Sequence, residues 1–174
     1  MKRTGALALM VTLTILPLLA TAQTRVSLPK NRYKVQDDVK IGRDAAKQVE
    51  QQMPILNDGQ AQQYLERVGE RLVMAIPPQF QQSAFDYTFK VVNARDINAF
   101  ALPGGPMYVN RGMIEAAKNE GEMAGVMAHE ISHVALRHAT AQATETQKYQ
   151  IGSVLGQIAG AVIGGGLGRY LKSH

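Results

Sequence analysis

The decapeptide HEISHVALRH, residues 129–138, decides the interpretation of this chain because it holds three histidines and one glutamate. On an α-helix, residues four apart project from almost the same face, so His129 and His133 would lie side by side. Two neutral imidazoles in that arrangement can bind one zinc ion. Glu130 is rotated about 100° around the helix and can accept a proton from zinc-bound water and pass it to a leaving amine. The HExxH spacing thus predicts His129 and His133 as metal ligands and Glu130 as the catalytic base.

A third protein ligand is harder to find in this sequence. His138 lies about 140° around the helix from His133, so a straight helix cannot bring it to the same ion. The same angles place His138 on the apolar stripe of the predicted helix, which favours a histidine that faces the core or supports a ligand. The one acidic residue in the sequence after His133 is Glu145, and it could reach the ion only through a sharp reversal of the chain. We therefore expect the third ligand to be missing, and ordinary helix histidines are the alternative to a metal site.

Apolar spacing predicts helices on both sides of the chain's centre. Residues 39–53 and 58–76 each carry apolar residues at helical intervals, and proline follows each segment. A short helix is predicted over 111–117, and a long helix containing HEISH is predicted from 119 to about 140. The polar segment 23–38 shows no sustained period, so we predict an extended arm there.

The predicted strands lie between these helices. Residues 85–92, FDYTFKVV, alternate apolar and polar side chains with the period of a half-buried strand. Residues 99–102 and 107–110 are two short extended pieces, and the sequence Pro-Gly-Gly-Pro at 103–106 predicts a tight turn between them.

The N-terminus has the features of an export signal. Lys2 and Arg3 precede an uncharged apolar run, and Ala20-Thr21-Ala22 supplies a small-residue cleavage site. We predict a signal peptide over 1–22 and a periplasmic mature protein. An uncleaved membrane anchor is the alternative, although the apolar run is shorter than the roughly 20 residues that cross a bilayer.

Composition narrows the partners of the predicted mature chain. The absence of cysteine excludes a disulfide and a lipid-attachment cysteine. Removal of Lys2 and Arg3 with the signal peptide leaves 17 basic against 14 acidic residues, a net charge of +3. The basic residues are scattered rather than interleaved with aromatic ones, so no nucleic-acid partner is expected.

The C-terminal segment 151–174 is rich in glycine and mostly apolar. Its glycines recur every four residues and would form a smooth ridge on a helix, which suits close packing on another helix, including in a membrane: Gly152, Gly156, Gly160, Gly164 and Gly168. Glycine also weakens helices, so we favour a flexible or loosely packed tail. Peripheral membrane association or self-association through 151–168 is the alternative.

Two segments together resemble a known family of enzymes. The segments NAFALPGGPMYVNRGMI (98–114) and NEGEMAGVMAHEISHVALRH (119–138) are similar to the zinc metallopeptidases that include the heat-shock protease HtpX, the CAAX prenyl endopeptidases and the outer-membrane assembly protease BepA. The resemblance covers roughly residues 35–140 and is most specific over 98–138. It implies a gluzincin-type HExxH site with one zinc ion held by His129 and His133.

The resemblance also implies a fold and a way to bind substrate. We expect an α+β, zincin-like fold over residues 39–150, mostly helical, with a small antiparallel sheet beside the HExxH helix. Asn98, Ala99, Phe100 and Ala101 would form the sheet edge that aligns an extended peptide by adding it as a strand. The family's third zinc ligand is a glutamate on a later helix, and no residue here matches it. This departure indicates a metallopeptidase domain truncated before that ligand.

The sequence is therefore consistent with three functions. The first is an exported zinc metalloendopeptidase that cleaves extended or misfolded envelope proteins, with outer-membrane assembly proteins among its partners. The second is a non-catalytic, chaperone-like module of the same fold that binds extended segments without cleaving them. The third is a small membrane-associating protein that acts through its glycine ridge.

Overall fold

The computed structural model describes residues 26–146 and confirms an α+β chain that is mostly helical. The predicted signal peptide and the glycine-rich tail lie outside the described residues. Within residues 26–146, none of the helices combines the length and the apolar character needed to cross a bilayer. The elements in chain order are α1 (Val35–Gln52), α2 (Gly59–Met74), a 3-10 turn (Pro78–Phe80), β1 (Phe89–Val92), β2 (Ala99–Ala101), β3 (Met107–Asn110), α3 (Arg111–Ala116), α4 (Glu120–Ala135) and α5 (His138–Glu145).

The sheet has three strands in the order β1-β3-β2, which leaves β2 at one edge. β2 and β3 form the predicted antiparallel hairpin, with Phe100 opposite Tyr108. β1 pairs with β3 in parallel, so the expectation of a purely antiparallel sheet is wrong. The hairpin partner β2 occupies one side of β3, and β1 occupies the other side, where it runs in the same direction as β3.

The two faces of the sheet are covered by different helices. The Ala-Phe-Ala sequence of β2 divides between them: Ala99 belongs to the core cluster that contains residues of α2 and α4, while Phe100 belongs to the cluster that contains residues of α1. All four residues of the central strand β3 are buried. Because small alanine faces α4 and large phenylalanine faces α1, the helix that carries HExxH can approach the edge strand closely.

Two predicted boundaries differ from the structure. Helix α1 begins at Val35 rather than at residue 39, because the Asp37 carboxylate accepts the backbone N–H of Lys34 at 2.7 Å and caps an earlier first turn. The strand predicted over 85–92 is regular only from Phe89. The residues before it meet the end of the hairpin instead: Asp86 N–H donates to Gly104 O in the 103–106 turn at 2.9 Å, and Thr88 O accepts the N–H of Met107 at 2.8 Å.

The long helix predicted to reach residue 140 is interrupted. α4 ends at Ala135, Arg137 adopts the left-handed backbone conformation with φ of 57°, and α5 starts at His138. The Arg137 side chain donates from Nε to the Asp38 carboxylate of α1 at 2.8 Å, and Asp38 is 1 % exposed. Thr140 donates to the same carboxylate at 2.7 Å. Contacts with α1 thus hold a backbone turn that L-residues adopt only at a cost of about 1–2 kcal/mol.

We predict opposite stability changes when alanine replaces two mid-helix glycines. In α1, a Cβ at Gly42 would lie 1.6 Å from the carbonyl oxygen of Pro103, so Gly42→Ala should lower the free energy of unfolding, by roughly 1–3 kcal/mol. In α4, a Cβ at Gly125 meets no atom within 4 Å. Gly125→Ala should raise the free energy of unfolding by about 0.5–1 kcal/mol, since alanine favours helix.

Urea denaturation followed by circular dichroism measures both free energies under the same conditions. The pair controls for the general effect of removing a helical glycine. Equal shifts of the two variants would contradict the close packing of α1 on the 103–106 turn.

Candidate metal centre

The position of α4 is set by its first turn and by its apolar stripe. The Asn119 side chain accepts the N–H of Glu122 at 3.0 Å, and the Glu122 carboxylate accepts the N–H of Lys118 at 2.9 Å. These bonds satisfy backbone donors that a helix start leaves open. The buried residues Met123, Met127 and Ile131 then pack into the cluster shared with α2 and the sheet. The outward face of α4 is thereby fixed as the face that carries His129 and His133.

The structure brings the two predicted ligands together. His129 and His133 are exposed, and their Nε2 atoms lie 3.0 Å apart. A tetrahedral zinc ion with bonds of 2.0–2.1 Å would separate two nitrogen ligands by about 3.4 Å. The observed separation is within a small side-chain adjustment of that value, so the donor set fits such an ion.

The predicted base lies beside this pair and is well oriented. Glu130 is 8 % exposed, and its carboxylate accepts a hydrogen bond from the backbone N–H of Ala101 in β2. Burial raises the pKa of Glu130, while the charge of His129 and the Ala101 N–H oppose that rise. A buried carboxyl beside the histidine pair is positioned to exchange protons with a neighbouring water. No local pattern predicts the contact with Ala101, because it depends on how the sheet docks against α4.

The edge strand presents backbone groups next to Glu130. Leu102 N–H donates to Pro106 O at 2.7 Å, and Asn110 N–H donates to Asn98 O at 2.9 Å. Residues 98 and 102 therefore direct these backbone groups toward β3, and the alternation of a strand directs those of Ala99 and Ala101 away from it. The Phe100 side chain is buried and stacks on Tyr108 with ring centres 5.2 Å apart. Ala99 and Ala101 are thus the members of the predicted edge whose backbone faces outward.

Residues 26–146 contain no group of three His, Cys, Asp or Glu side chains placed to hold one metal ion. Glu145 was the acidic candidate for a third ligand. It lies at the C-terminal end of α5 and is exposed. Within the described residues, the candidate metal ligands are therefore the pair on α4.

His138 takes a position that helical periodicity does not predict. Its Nδ1 atom lies 2.7 Å from the Nδ1 atom of His133. The straight-helix angles placed it on the core stripe, but the turn at Arg137 starts a new helix and turns His138 toward His133 instead. No glycine or asparagine marks this turn, so the usual sequence signal for a left-handed residue is missing. The alternative of a histidine that supports a ligand agrees with this contact.

Although His133 is open to solvent on one side, partial burial of its ring favours the neutral form that binds metal. It lowers the pKa of His133, and the charges of His138 and His129 lower it further. Burial lowers the pKa of His138 as well, with a contribution from His129. A lowered pKa keeps an imidazole neutral, and the neutral ring is the form that binds metal.

Several known proteins are similar in sequence to this region of the chain. The family model described as Peptidase family M48 matches residues 59–166. The beta-barrel assembly-enhancing protease of Escherichia coli is 34 % identical over 111 residues, which cover 64 % of this chain and 22 % of that protein. The corresponding protease of Yersinia pestis is 32 % identical over 114 residues, covering 66 % and 23 %. The mitochondrial metalloendopeptidase OMA1 of Bos taurus is 34 % identical over 62 residues, covering 36 % and 12 %. The matches thus span less than a quarter of the length of these relatives.

We predict that the purified chain binds one zinc ion through the pair on α4. His129→Ala and His133→Ala should each weaken zinc binding by more than about 100-fold, because even the partners of metal ligands are worth about 10- to 100-fold in affinity. Chelator competition measures the dissociation constant, and elemental analysis after dialysis measures the stoichiometry. His174→Ala removes an imidazole elsewhere in the sequence and serves as the control. Unchanged affinity in the His129 and His133 variants would show that zinc binds at another place.

Proposed function

The chain belongs to peptidase family M48, and from this premise we propose that it is an exported zinc metalloendopeptidase domain. The observation that carries the proposal is the pair of Nε2 atoms 3.0 Å apart on α4, beside the buried carboxyl of Glu130. Two nitrogen ligands, an adjacent carboxyl and an edge strand are components that metal-assisted peptide hydrolysis uses. Because the matches cover only part of the relatives, the activity is proposed rather than taken over from them.

In this proposal each residue of the site has a separate task. When bound, zinc would supply Lewis acidity that polarises a carbonyl and acidifies water. His129 and His133 would hold the ion with their Nε2 lone pairs. Glu130 would take a proton from the attacking water as the C–O bond forms, and would give it to the amine nitrogen as the C–N bond breaks. The Ala101 N–H that bonds to Glu130 would keep the carboxyl turned toward the reacting groups.

The proposed substrates are extended segments of protein chains. Besides the Ala101 N–H that bonds to Glu130, the backbone groups of Ala99 and the carbonyl of Ala101 point away from β3, so a peptide can pair with them as an added strand. Main-chain pairing tolerates many side chains, which suits misfolded or unassembled proteins. Asn98 precedes the edge, whereas the buried Phe100 side chain supports it from the core rather than contacting substrate.

The proposed location is the periplasm, with envelope proteins as substrates and outer-membrane assembly proteins as partners. The predicted signal peptide supports export, and the names of the bacterial relatives refer to beta-barrel assembly. Cells that express the full chain should yield a periplasmic protein whose first residue by N-terminal sequencing is Gln23. Met1 at the N-terminus of a membrane-bound product would contradict cleavage and support the anchor.

We predict that the zinc-loaded protein cleaves casein and that Glu130→Gln abolishes this cleavage. Glutamine keeps the shape of the side chain but cannot accept the proton, and loss of a general base lowers rates by about 10²–10⁴-fold. Release of fluorescent peptides from labelled casein measures the rate, and zinc removal by a chelator gives the baseline. The zinc affinity of Glu130→Gln should remain close to wild type, which separates the loss of the base from the loss of the metal.

Two results would reject this proposal. Cleavage that persists in Glu130→Gln would exclude Glu130 as the base. Tight zinc binding without any cleavage by the wild-type chain would favour the second function, a module that binds extended segments. In that case, saturable binding of unfolded casein by the zinc-loaded chain would identify the module.

A further inference from the structure

His138 occupies a place that the proposed reaction does not use. It begins α5, directly after the left-handed residue Arg137. The Arg137 guanidinium donates to the Asp38 carboxylate and to the carbonyl of Tyr33, and Thr140 donates to the same carboxylate. These contacts determine where α5 starts. They therefore determine where the ring of His138 lies relative to α4.

The three histidine rings form a row. His129 and His133 face each other through Nε2 atoms 3.0 Å apart, and His133 and His138 face each other through Nδ1 atoms 2.7 Å apart. Both neighbouring ring pairs meet edge to face, with interplanar angles of 73° and 72°. An ion between the two Nε2 atoms would lie on the opposite side of the His133 ring from His138. His138 is thus placed to contact a ligand and not the ion.

Proton positions on these rings are constrained by metal binding. Each hydrogen bond in the row needs one donor and one acceptor, and a neutral imidazole carries one N–H. If Nε2 of His133 binds a metal, its N–H must be on Nδ1, where Nδ1 of His138 is the acceptor 2.7 Å away. His138 must then carry its own proton on Nε2. In this arrangement the proton of His133 is on Nδ1 and that of His138 is on Nε2, and the Nε2 lone pair of His133 is free to bind a metal.

We propose that His138 is a positioning residue that accepts the Nδ1–H of His133 and so fixes the orientation and tautomer of that zinc ligand. The proposal rests on the proposed function, since it assumes that His133 binds the metal through Nε2. Partners of this kind orient the rings of metal ligands and increase their basicity. In this chain the positioning contact comes from the next helix, and it depends on the ion pair between Asp38 and Arg137.

The test compares three variants of residues in α5. We expect His138→Ala to weaken zinc binding by about 10- to 100-fold. His138→Asn should recover part of the affinity, because its side-chain oxygen is an acceptor near the place of Nδ1. Gln142→Ala changes an exposed residue one turn later in α5 and should bind zinc as the wild type does. Chelator competition measures the three dissociation constants.

A second measurement needs neither zinc nor activity. A hydrogen bond between the two Nδ1 atoms should give a downfield imidazole N–H resonance in nitrogen-15 spectra of the metal-free protein. This resonance should be present in the wild type and in Gln142→Ala, and absent in His138→Ala. Because it reports the ring contact directly, a general loss of stability would not imitate the pattern.

The outcomes separate this proposal from the proposed function. If the wild type binds zinc and His138→Ala binds it within about twofold, the positioning role is wrong while the metal site stands. The same conclusion follows if Gln142→Ala loses as much affinity as His138→Ala. If the wild type shows the resonance but binds no zinc, the metal assignment of His133 is wrong and the positioning role falls with it.

Discussion

The ion pair between Asp38 and Arg137 joins residues that are 99 positions apart and sets the course of the chain after the HExxH helix. Burial raises the pKa of Asp38, and the hydrogen bonds from Thr140 and Arg137 oppose that rise. Desolvation thus cancels much of what the charges gain, and buried pairs of this kind contribute little net stability, although losing one partner is costly. The consequence of the pair is mainly geometric. It holds Arg137 in a left-handed conformation and places the start of α5 beside the proposed metal ligands.

A second constraint connects the sheet with Glu130, the proposed base. Alanine at 99 and 101 lets α4 approach the edge strand, and at this separation the N–H of Ala101 reaches Glu130. On the opposite face, Phe100 stacks on Tyr108, whose hydroxyl donates to Glu50 of α1 at 2.9 Å. Both helices therefore hold β2 in place, one through small residues and one through a large ring. The strand that carries the proposed substrate edge is also the strand that orients the proposed base.

Much of the fold and of the site could be predicted from local patterns. The starts of α2, α3 and α4, the β2–β3 hairpin and the adjacency of His129 and His133 agree with the structure, since each depends on residues within a few positions of one another. The errors occur where distant contacts decide. Residues 85–92 alternate throughout, but the regular strand that pairs with β3 is confined to Phe89–Val92. The parallel pairing of β1 with β3 joins residues 18 positions apart, and no pattern in β1 itself predicts its direction.

By itself the sequence determined the α+β composition, the HExxH pair and the position of Glu130 next to it, because helical geometry repeats every few residues and needs no distant partner. The tertiary structure decided which backbone group meets Glu130 and where His138 lies. No local signal marks the turn at Arg137, since its unfavourable backbone conformation is maintained by a carboxylate from another helix. Side chains that meet only after folding, such as His133 and His138, have a geometry that depends on such contacts.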